Sequence, residues 1–114
     1  MNPPPRGDVW LVDLGMAAKV RPALVLSVPA SDADRALATL VPHTTSVRGT
    51  GYEVGMTLPF LKPGAFDAQG IVSVPLPKLI RRLGRLTPSQ LTQVEAVVSK
   101  WLGLGRGRVE GDWS

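Results

Sequence analysis

The sequence of 114 residues contains no cysteine and no long hydrophobic run. Without cysteine there are no disulfides, no thiolate metal sites and no thiol catalysis, which fits a reducing compartment. No apolar stretch approaches the roughly 20 residues of a membrane-spanning helix. The N-terminal residues 1–6 carry an arginine, but the apolar region that follows the charge in a secretory leader is missing. We therefore expect a cytoplasmic chain with no membrane partner.

Most familiar catalytic and cofactor motifs are also missing. We find no glycine-rich phosphate loop, no two-histidine metal motif and no calcium-binding loop, so we expect neither a metal nor a cofactor. No helix–turn–helix pattern precedes the final helix, which disfavours a DNA-binding regulator. An enzyme built from this sequence would have to use arginine, threonine, serine and the single histidine, His43. RNA cleavage suits these groups, because the 2′-hydroxyl can attack the adjacent phosphodiester and no protein nucleophile is required.

Positive charge exceeds negative charge in this chain. Thirteen Lys and Arg stand against nine Asp and Glu, for a formal net charge of +4. Such a surface attracts polyanions, although the same excess also serves solubility alone. A basic group of four residues, Lys78, Arg81, Arg82 and Arg85, fits either an RNA or antitoxin contact or a solvated face. Charge by itself leaves both interpretations open.

Short runs of branched and aromatic residues, separated by glycine and proline, predict a mainly β (α+β) fold. The predicted strands are Asp8–Asp13, Ala23–Ser27, Ala36–Val41, Tyr52–Leu58, Ile71–Val74 and a closing Arg85–Leu86. Pro42 and Pro59 are expected to end the third and fourth strands. A basic helical turn is predicted within 75–82 and a turn within 15–22. Strands this short favour a small barrel.

The sequence predicts a C-terminal helix and contains capping residues at both of its ends. Thr87 suits the N-cap, Pro88 the first helical position and Gln90 the capping box, and Gly103 follows the expected last residue, Leu102. An apolar stripe is predicted to face the barrel or a partner; it comprises Leu91, Val94, Val97, Val98, Trp101 and Leu102. The whole chain, 1–114, is expected to form one domain with its core in 6–104 and a flexible tail over 105–114.

Arg21 is the first candidate for chemistry. Its guanidinium stays charged at any relevant pH and matches two phosphate oxygens. Pro22 keeps the backbone at Arg21 extended, which favours a preorganised position. The alternative is an ordinary surface arginine beside a turn.

The second candidate is the segment 41–46, where Thr44, Thr45 and Ser46 follow a strand end and a proline. Hydroxyl groups bind phosphate oxygens, but they also cap their own backbone in ordinary turns. His43 has an unperturbed pKa near neutrality and is a possible acid or base. A structural role for a lone histidine is equally open.

Taken together, these segments resemble the MazF/PemK family of type II toxin–antitoxin endoribonucleases, also called mRNA interferases. The resemblance spans residues 6 to 104 and rests on four pieces: Arg-Gly-Asp-Val-Trp-Leu-Val-Asp at 6–13, Arg-Pro-Ala-Leu-Val-Leu-Ser at 21–27, Val-Pro-His-Thr-Thr at 41–45, and a terminal helix that begins Leu-Thr-Pro-Ser-Gln and ends Trp-Leu-Gly-Leu. No single piece is specific, whereas their combination is.

The resemblance implies a small SH3-like β-barrel that forms a homodimer, binds single-stranded RNA such as mRNA, and is held by a cognate antitoxin protein. It implies metal-independent, sequence-specific cleavage to 2′,3′-cyclic phosphate and 5′-hydroxyl ends. The family's catalytic arginine and threonine fall on Arg21 and Thr44. Substrate contacts are expected at Thr45, Ser46, Arg48 and Gln69, and we add Asp13 and Lys19 to the candidate substrate-binding residues. The proton-transfer partner is open between His43, Asp13 and Arg21.

The chain departs from the family pattern at two places. Ala68 stands before Gln69 where relatives carry an acidic residue, and the turn 15–20 looks shorter and lacks the acidic and glutamine side chains sometimes found there. Both departures keep a non-catalytic alternative open, an SH3-like module that binds RNA or a peptide.

Overall fold

The computed structural model describes residues 2–15 and 19–105, except for the side chain of Lys19. Within these residues the chain forms seven strands: β1 (Asp8–Gly15), β2 (Lys19–Val25), β3 (Leu37–Thr44), β4 (Glu53–Gly55), β5 (Ala65–Asp67), β6 (Val72–Pro75) and β7 (Leu79–Arg85). One helix, α1 (Pro88–Leu102), follows them, and 3₁₀ turns occupy Ala68–Gly70 and Leu76–Lys78. The centre of the predicted 15–22 turn, at 16–18, and the tail from 106 onward lie outside the described residues.

All strand pairings are antiparallel, in the order β4-β5-β3-β2-β1-β7, with β6 added to β3. Within the described ranges the two end strands of this order, β4 and β7, do not pair with each other. The sheet is therefore barrel-like rather than closed. The predicted fold class, mainly β with a C-terminal helix, is confirmed. No helix in the described part of the chain is long and apolar enough to cross a bilayer.

Buried side chains form two clusters, and the strand β2 contributes to both. Leu24 packs with Val9, Phe66 and the helix residue Val94 in one cluster. Ala23 and Val25 belong to the other, whose further members are Val12, Ala38, Leu40, Val74, Leu76 and Leu79. Because successive strand residues face opposite sides, β2 is buried on both faces, as its unbroken apolar run predicts.

The strands differ from the prediction at three places between residues 37 and 67. β3 does not stop before Pro42 but runs through it to Thr44. On the side of β3 away from β2, the pairing with β6 ends at Leu40 and the pairing with β5 begins at His43. Pro42 lies in the gap between these two partners, so no hydrogen bond between strands on that side requires the N–H that proline lacks. The predicted fourth strand, 52–58, shrinks to Glu53–Gly55. β5 was not predicted, because its three residues are too few to show alternation.

The basic segment 75–82 also differs from its prediction. Only Leu76–Lys78 forms a helical turn, and the following residues belong to β7, which pairs with β1 and extends the predicted closing strand. Three of the four basic side chains approach carboxylates. Arg82 and Arg85 contact the buried Asp8 at 3.3 and 2.7 Å, and Lys78 Nζ lies 4.0 Å from Asp13. Much of this basic group thus neutralises the protein's own acids.

The helix prediction is confirmed at both ends. Thr87 and Gln90 make the reciprocal capping-box hydrogen bonds, and Gly103 ends α1 with φ 72°. Val94 and Val98 are buried, as the apolar stripe predicts. Its last two members are not: Trp101 is 41% and Leu102 47% exposed. The stripe therefore covers the sheet over its first three turns and leaves an apolar end uncovered.

Gly64 lets the chain before β5 lie directly against the end of β3. A Cβ at this position would fall 2.2 Å from the Thr44 carbonyl oxygen and 2.7 Å from His43 Cε1. At Gly55, on the neighbouring β4, the nearest atom to such a Cβ is 3.8 Å away.

We therefore predict that Gly64→Ala lowers the free energy of unfolding by about 1–3 kcal/mol, the usual cost of overpacking, whereas Gly55→Ala leaves it within about 0.5 kcal/mol of wild type. Urea denaturation of the three proteins measures both. Equal stability of the two variants would show that Thr44 and Gly64 are not packed this closely.

Candidate active site

The pairing of β2 with β3 brings Arg21 and Thr44 to neighbouring strand ends. Ala23 lies opposite Pro42 in this register, and two residues further along each strand come Arg21 and Thr44. Directly opposed residues of an antiparallel pair project from the same face. The guanidinium and the hydroxyl therefore share one side of the sheet, next to the buried core pairs that fix the register.

Two cavities open on either side of this pair. The first has a volume of about 420 Å³ and a wall that is half apolar; it is lined by Val20, Arg21, Pro22, His43, Thr44, Thr45, Ser46, Phe60, Leu61, Lys62 and Leu83. The second has about 310 Å³ and a polar wall made of Arg21, Thr44, Ser46, Arg48, Thr50, Glu53, Asp67 and Gln69. Arg21, Thr44 and Ser46 line both. The two cavities thus form one site that is divided by the two leading candidates.

Arg21 is held partly inside the protein. Its Nε is buried and has no hydrogen-bond partner among the described residues. Buried polar atoms are normally satisfied, so this unpaired donor is an exception, and it belongs to a side chain that lines both cavities. A guanidinium in this position offers a fixed positive charge to an anion.

The Thr44 hydroxyl is oriented by its own turn. Thr44 Oγ1 accepts a hydrogen bond from the backbone N–H of Ser46 at 3.0 Å. A hydroxyl group has one proton and two acceptor positions, so this contact leaves the proton free to be donated. Thr44 can therefore donate to an oxygen placed in the shared part of the two cavities.

His43 lies behind the same strand end. Its side chain is only 4% exposed and meets the ring of Phe66 edge-on, with 5.1 Å between ring centroids. Burial lowers the pKa of His43 below its usual value of 6.5, and the nearby charge of Arg21 lowers it further. The imidazole is therefore neutral at pH 7 and able to accept a proton.

The loop that follows Thr44 is tied down by a carboxylate. Glu53 accepts hydrogen bonds from the backbone N–H groups of Arg48, at 3.0 and 3.2 Å, and of Thr50, at 2.8 Å. These contacts, together with the N–H of Gly49 and the charge of Arg48, lower the pKa of Glu53. Glu53 is thus a stable anion on the wall of the second cavity.

The structure gathers most of the candidate site residues and leaves two aside. Thr45 and His43 line the first cavity, Arg48 and Gln69 line the second, and Ser46 lines both. Asp13 lies outside the described lining of both cavities; its carboxylate accepts from the Gly15 N–H at 2.9 Å and approaches Lys78. Lys19 belongs to β2, but its side chain is not among the described atoms.

Sequence reasoning missed several lining residues, among them Phe60, Lys62, Glu53 and Asp67. Asp67 stands one position before Ala68, whose side chain is fully buried and cannot reach a ligand. Glu53 and Asp67 lie opposite each other in the β4–β5 pairing. The sequence indicated only that Ala68 replaces the family's acid before Gln69; the place of Asp67 in the same cavity depends on the unpredicted strand β5.

The sequence matches a model of a known protein family over residues 5–102. That model is described as PemK-like, MazF-like toxin of type II toxin–antitoxin system. The chain belongs to this family. It is also 31% identical over 94 residues to a probable endoribonuclease, MazF5, from Mycobacterium tuberculosis, a match that covers 80% of this chain and 85% of the relative.

Solved structures of the family share this fold. An endoribonuclease from a mycobacterial species superposes with a TM-score of 0.76 at 28% identity, covering 92% of this chain and 96% of its own. A mycobacterial endoribonuclease in complex with its cognate antitoxin gives 0.74 at 29% identity, with 91% and 97% covered. A MazE–MazF complex from Deinococcus radiodurans gives 0.75 at 23% identity, over 90% and 97% of the two chains, and supports the fold alone.

Burial of neutral His43 predicts a pH-dependent stability. Because its pKa is lower in the folded protein, the unfolded chain takes up the proton first as the pH falls through about 6.5, and unfolding is then favoured. We expect the free energy of unfolding to fall more steeply between pH 7.5 and 5.5 in wild type than in His43→Gln, with a difference of at most about 1.4 kcal/mol per pH unit. Denaturant titrations at several pH values measure the two slopes, and parallel slopes would contradict the burial of a neutral imidazole.

Proposed function

We propose that this chain is a metal-independent, sequence-specific endoribonuclease that acts as the toxin of a type II toxin–antitoxin system. It cuts single-stranded RNA by attack of the 2′-hydroxyl on the neighbouring phosphodiester and leaves 2′,3′-cyclic phosphate and 5′-hydroxyl ends. The observation that carries this proposal is the convergence of Arg21 and Thr44 where two cavities meet. Membership of the MazF-like family supports the choice of RNA.

Arg21 acts on the charge that develops at phosphorus. Attack by the 2′-oxygen adds negative charge to the non-bridging oxygens, and a guanidinium already in place stabilises this charge without reorganisation. Its position next to Pro22 on a paired strand limits its freedom before RNA arrives. Thr44 donates its free hydroxyl proton to one of the same oxygens and holds the phosphate for in-line attack.

The proton of the 2′-hydroxyl requires an acceptor, and the 5′-oxygen, whose bond to phosphorus breaks, requires a proton; one group can serve both needs by passing on the proton that it takes up. Asp13, one of the three sequence candidates, is outside the described lining of both cavities, and its carboxylate accepts from the N–H of Gly15. The choice is then between His43 and Arg21. An imidazole that is neutral at pH 7 is a competent base, whereas a guanidinium with a pKa above about 12 is a poor one.

The two cavities suit the nucleotides on either side of the cut. The apolar wall of the first cavity, formed by Phe60, Leu61 and Leu83, suits the face of an unpaired base. Lys62, which lines the same cavity, can bind a phosphate. The second offers Arg48 for a phosphate and the side chains of Asp67 and Gln69 for hydrogen bonds with base edges. Thr45 and Ser46 contact the backbone between them.

We also propose two protein partners. The first is a cognate antitoxin, in line with the mycobacterial relative that was solved in complex with its own. The second is another copy of this chain, because the end of α1 leaves Trp101, Leu102 and Leu104 between 41% and 59% exposed, an apolar surface that a homodimer would cover. We place the active protein in the cytoplasm, where mRNA is available.

A non-catalytic RNA-binding function is the second candidate. It is favoured by Ala68, which is buried and leaves no acid before Gln69. Such a protein would bind RNA in the same cavities without cutting it.

Incubation with single-stranded RNA in EDTA separates the two functions. We expect wild-type protein to produce fragments that end in cyclic phosphate, and Arg21→Ala to lose about 100-fold or more in kcat, as when a preorganised donor to a developing oxyanion is removed. Arg21→Lys should recover only part of the rate, because a lysine keeps the charge but not the fork. Intact RNA with wild-type protein, or a folded Arg21→Ala variant at the wild-type rate, would refute the proposed function.

The pH dependence of cleavage identifies the proton acceptor. If His43 is the base, kcat/KM of wild type falls as the pH drops through the lowered pKa of His43, and this acidic limb disappears in His43→Gln together with most of the rate. An unchanged rate and profile in His43→Gln would assign the step to Arg21 and leave His43 a structural residue.

A further inference from the structure

Glu53 lies at the base of the loop that joins β3 to β4, residues 45–52. We propose that Glu53 is a positioning residue, whose carboxylate holds this loop in the shape in which Ser46 and Arg48 receive RNA. The proposal rests on the proposed function and adds a residue that acts through others, since Glu53 would set the loop rather than touch the reacting atoms.

Residues 45–51 of the loop have little else to hold them. All seven are exposed, and Val47, the one large apolar side chain among them, is 52% exposed. None of these residues belongs to either buried cluster of the described chain. Apart from the Glu53 carboxylate, the described hydrogen bonds of residues 45–51 are short-range ones, from Ser46 N to Thr44 Oγ1, from Tyr52 N to Thr50 Oγ1 and from Glu53 N to Thr50 O. The last loop residue, Tyr52, is held separately, because its carbonyl oxygen accepts from the Ala68 N–H at 2.9 Å. Without Glu53 the stretch 46–51 would lose its main link to the sheet.

The backbone around Glu53 is shaped for an anion. Gly49 has φ +78°, and the turn that it makes directs the N–H groups of Arg48, Gly49 and Thr50 toward one point. Consecutive N–H groups arranged in this way form a concave anion site. Here the chain's own carboxylate fills it: Oε1 accepts from Arg48 and Thr50, and Oε2 accepts from Arg48.

The negative charge of Glu53 destabilises the pairing of β4 with β5. Glu53 is directly opposite Asp67 in the β4–β5 pairing, and like charges at opposed positions destabilise a sheet. Arg21 and Arg48 line the same cavity and offset part of this repulsion. A neutral side chain would pair with Asp67 at lower cost but would bind the three N–H groups less strongly. The arrangement therefore favours the order of the loop over the stability of the strand pair.

Loop order matters for RNA binding because an unordered loop must be fixed when RNA arrives. Each immobilised side chain costs about 0.5–1.5 kcal/mol on association, and about 1.4 kcal/mol corresponds to a tenfold change in affinity. Removal of the carboxylate should therefore raise KM about tenfold. It should leave kcat close to wild type, since Arg21 and Thr44 are held by β2 and β3.

The experiment compares Glu53→Ala, Glu53→Gln and a control on the full-length protein. Glutamine keeps an oxygen at the position of Oε1, which accepts from both Arg48 and Thr50, and so should recover most of the loss. The control is Asp34→Ala: Asp34 also binds its own exposed loop, through the N–H and hydroxyl of Ser31 at 2.9 and 3.0 Å, but lines neither cavity.

Two measurements are made on each protein, KM and kcat with a short single-stranded RNA, and amide hydrogen exchange without RNA. For Glu53→Ala we expect the higher KM, a kcat within about twofold of wild type, and faster exchange at Arg48, Gly49 and Thr50 alone. Asp34→Ala should match wild type in KM. If Glu53→Ala does not fold, the smaller KM increase and the exchange of Glu53→Gln decide the matter.

An unchanged KM in a Glu53→Ala variant with faster exchange would overturn the proposal, as would unchanged exchange at the three amides, or a loss confined to kcat. These outcomes differ from failure of the proposed function, in which the wild-type protein itself would leave RNA uncut.

Discussion

The antiparallel pairing of β2 with β3 is the constraint on which the site depends. Leu24 and Val41 are paired in one buried cluster, and Val25 and Leu40 in the other, so both faces of this pairing are fixed by burial. A slip of one residue would move each of these side chains out of the cluster that it fits and would turn Arg21 to the opposite face from Thr44. The apolar core therefore determines the distance between the guanidinium and the hydroxyl, although neither group belongs to it.

Polar contacts within the chain prepare the remaining parts of the site. The Ser46 N–H orients the Thr44 hydroxyl, the Glu53 carboxylate shapes the loop around Arg48, and burial keeps His43 uncharged beside Arg21. Each contact fixes a donor, an acceptor or a protonation state before any substrate is present. Such preorganisation is what a catalyst needs when the substrate supplies its own nucleophile.

The parts of the structure that were predictable are those specified by neighbouring residues. The helix α1 was placed correctly because Thr87, Pro88, Gln90 and Gly103 mark its ends locally. Arg21 and Thr44 were singled out because each adjoins a strand and a proline. By contrast, β5 and the roles of Glu53 and Asp67 depend on which strands become neighbours, and a three-residue strand carries no periodic signal. The path of β3 through Pro42 likewise depends on where its two partner strands begin and end.

A double-mutant cycle tests most directly whether Arg21 and Thr44 grip a single phosphate. kcat/KM is measured for wild type, Arg21→Lys, Thr44→Val and the double variant. If both groups act on the same oxygens in one transition state, the double variant loses clearly less than the product of the two single losses. Losses that multiply, with no coupling between the two positions, would contradict the account of a shared phosphate site.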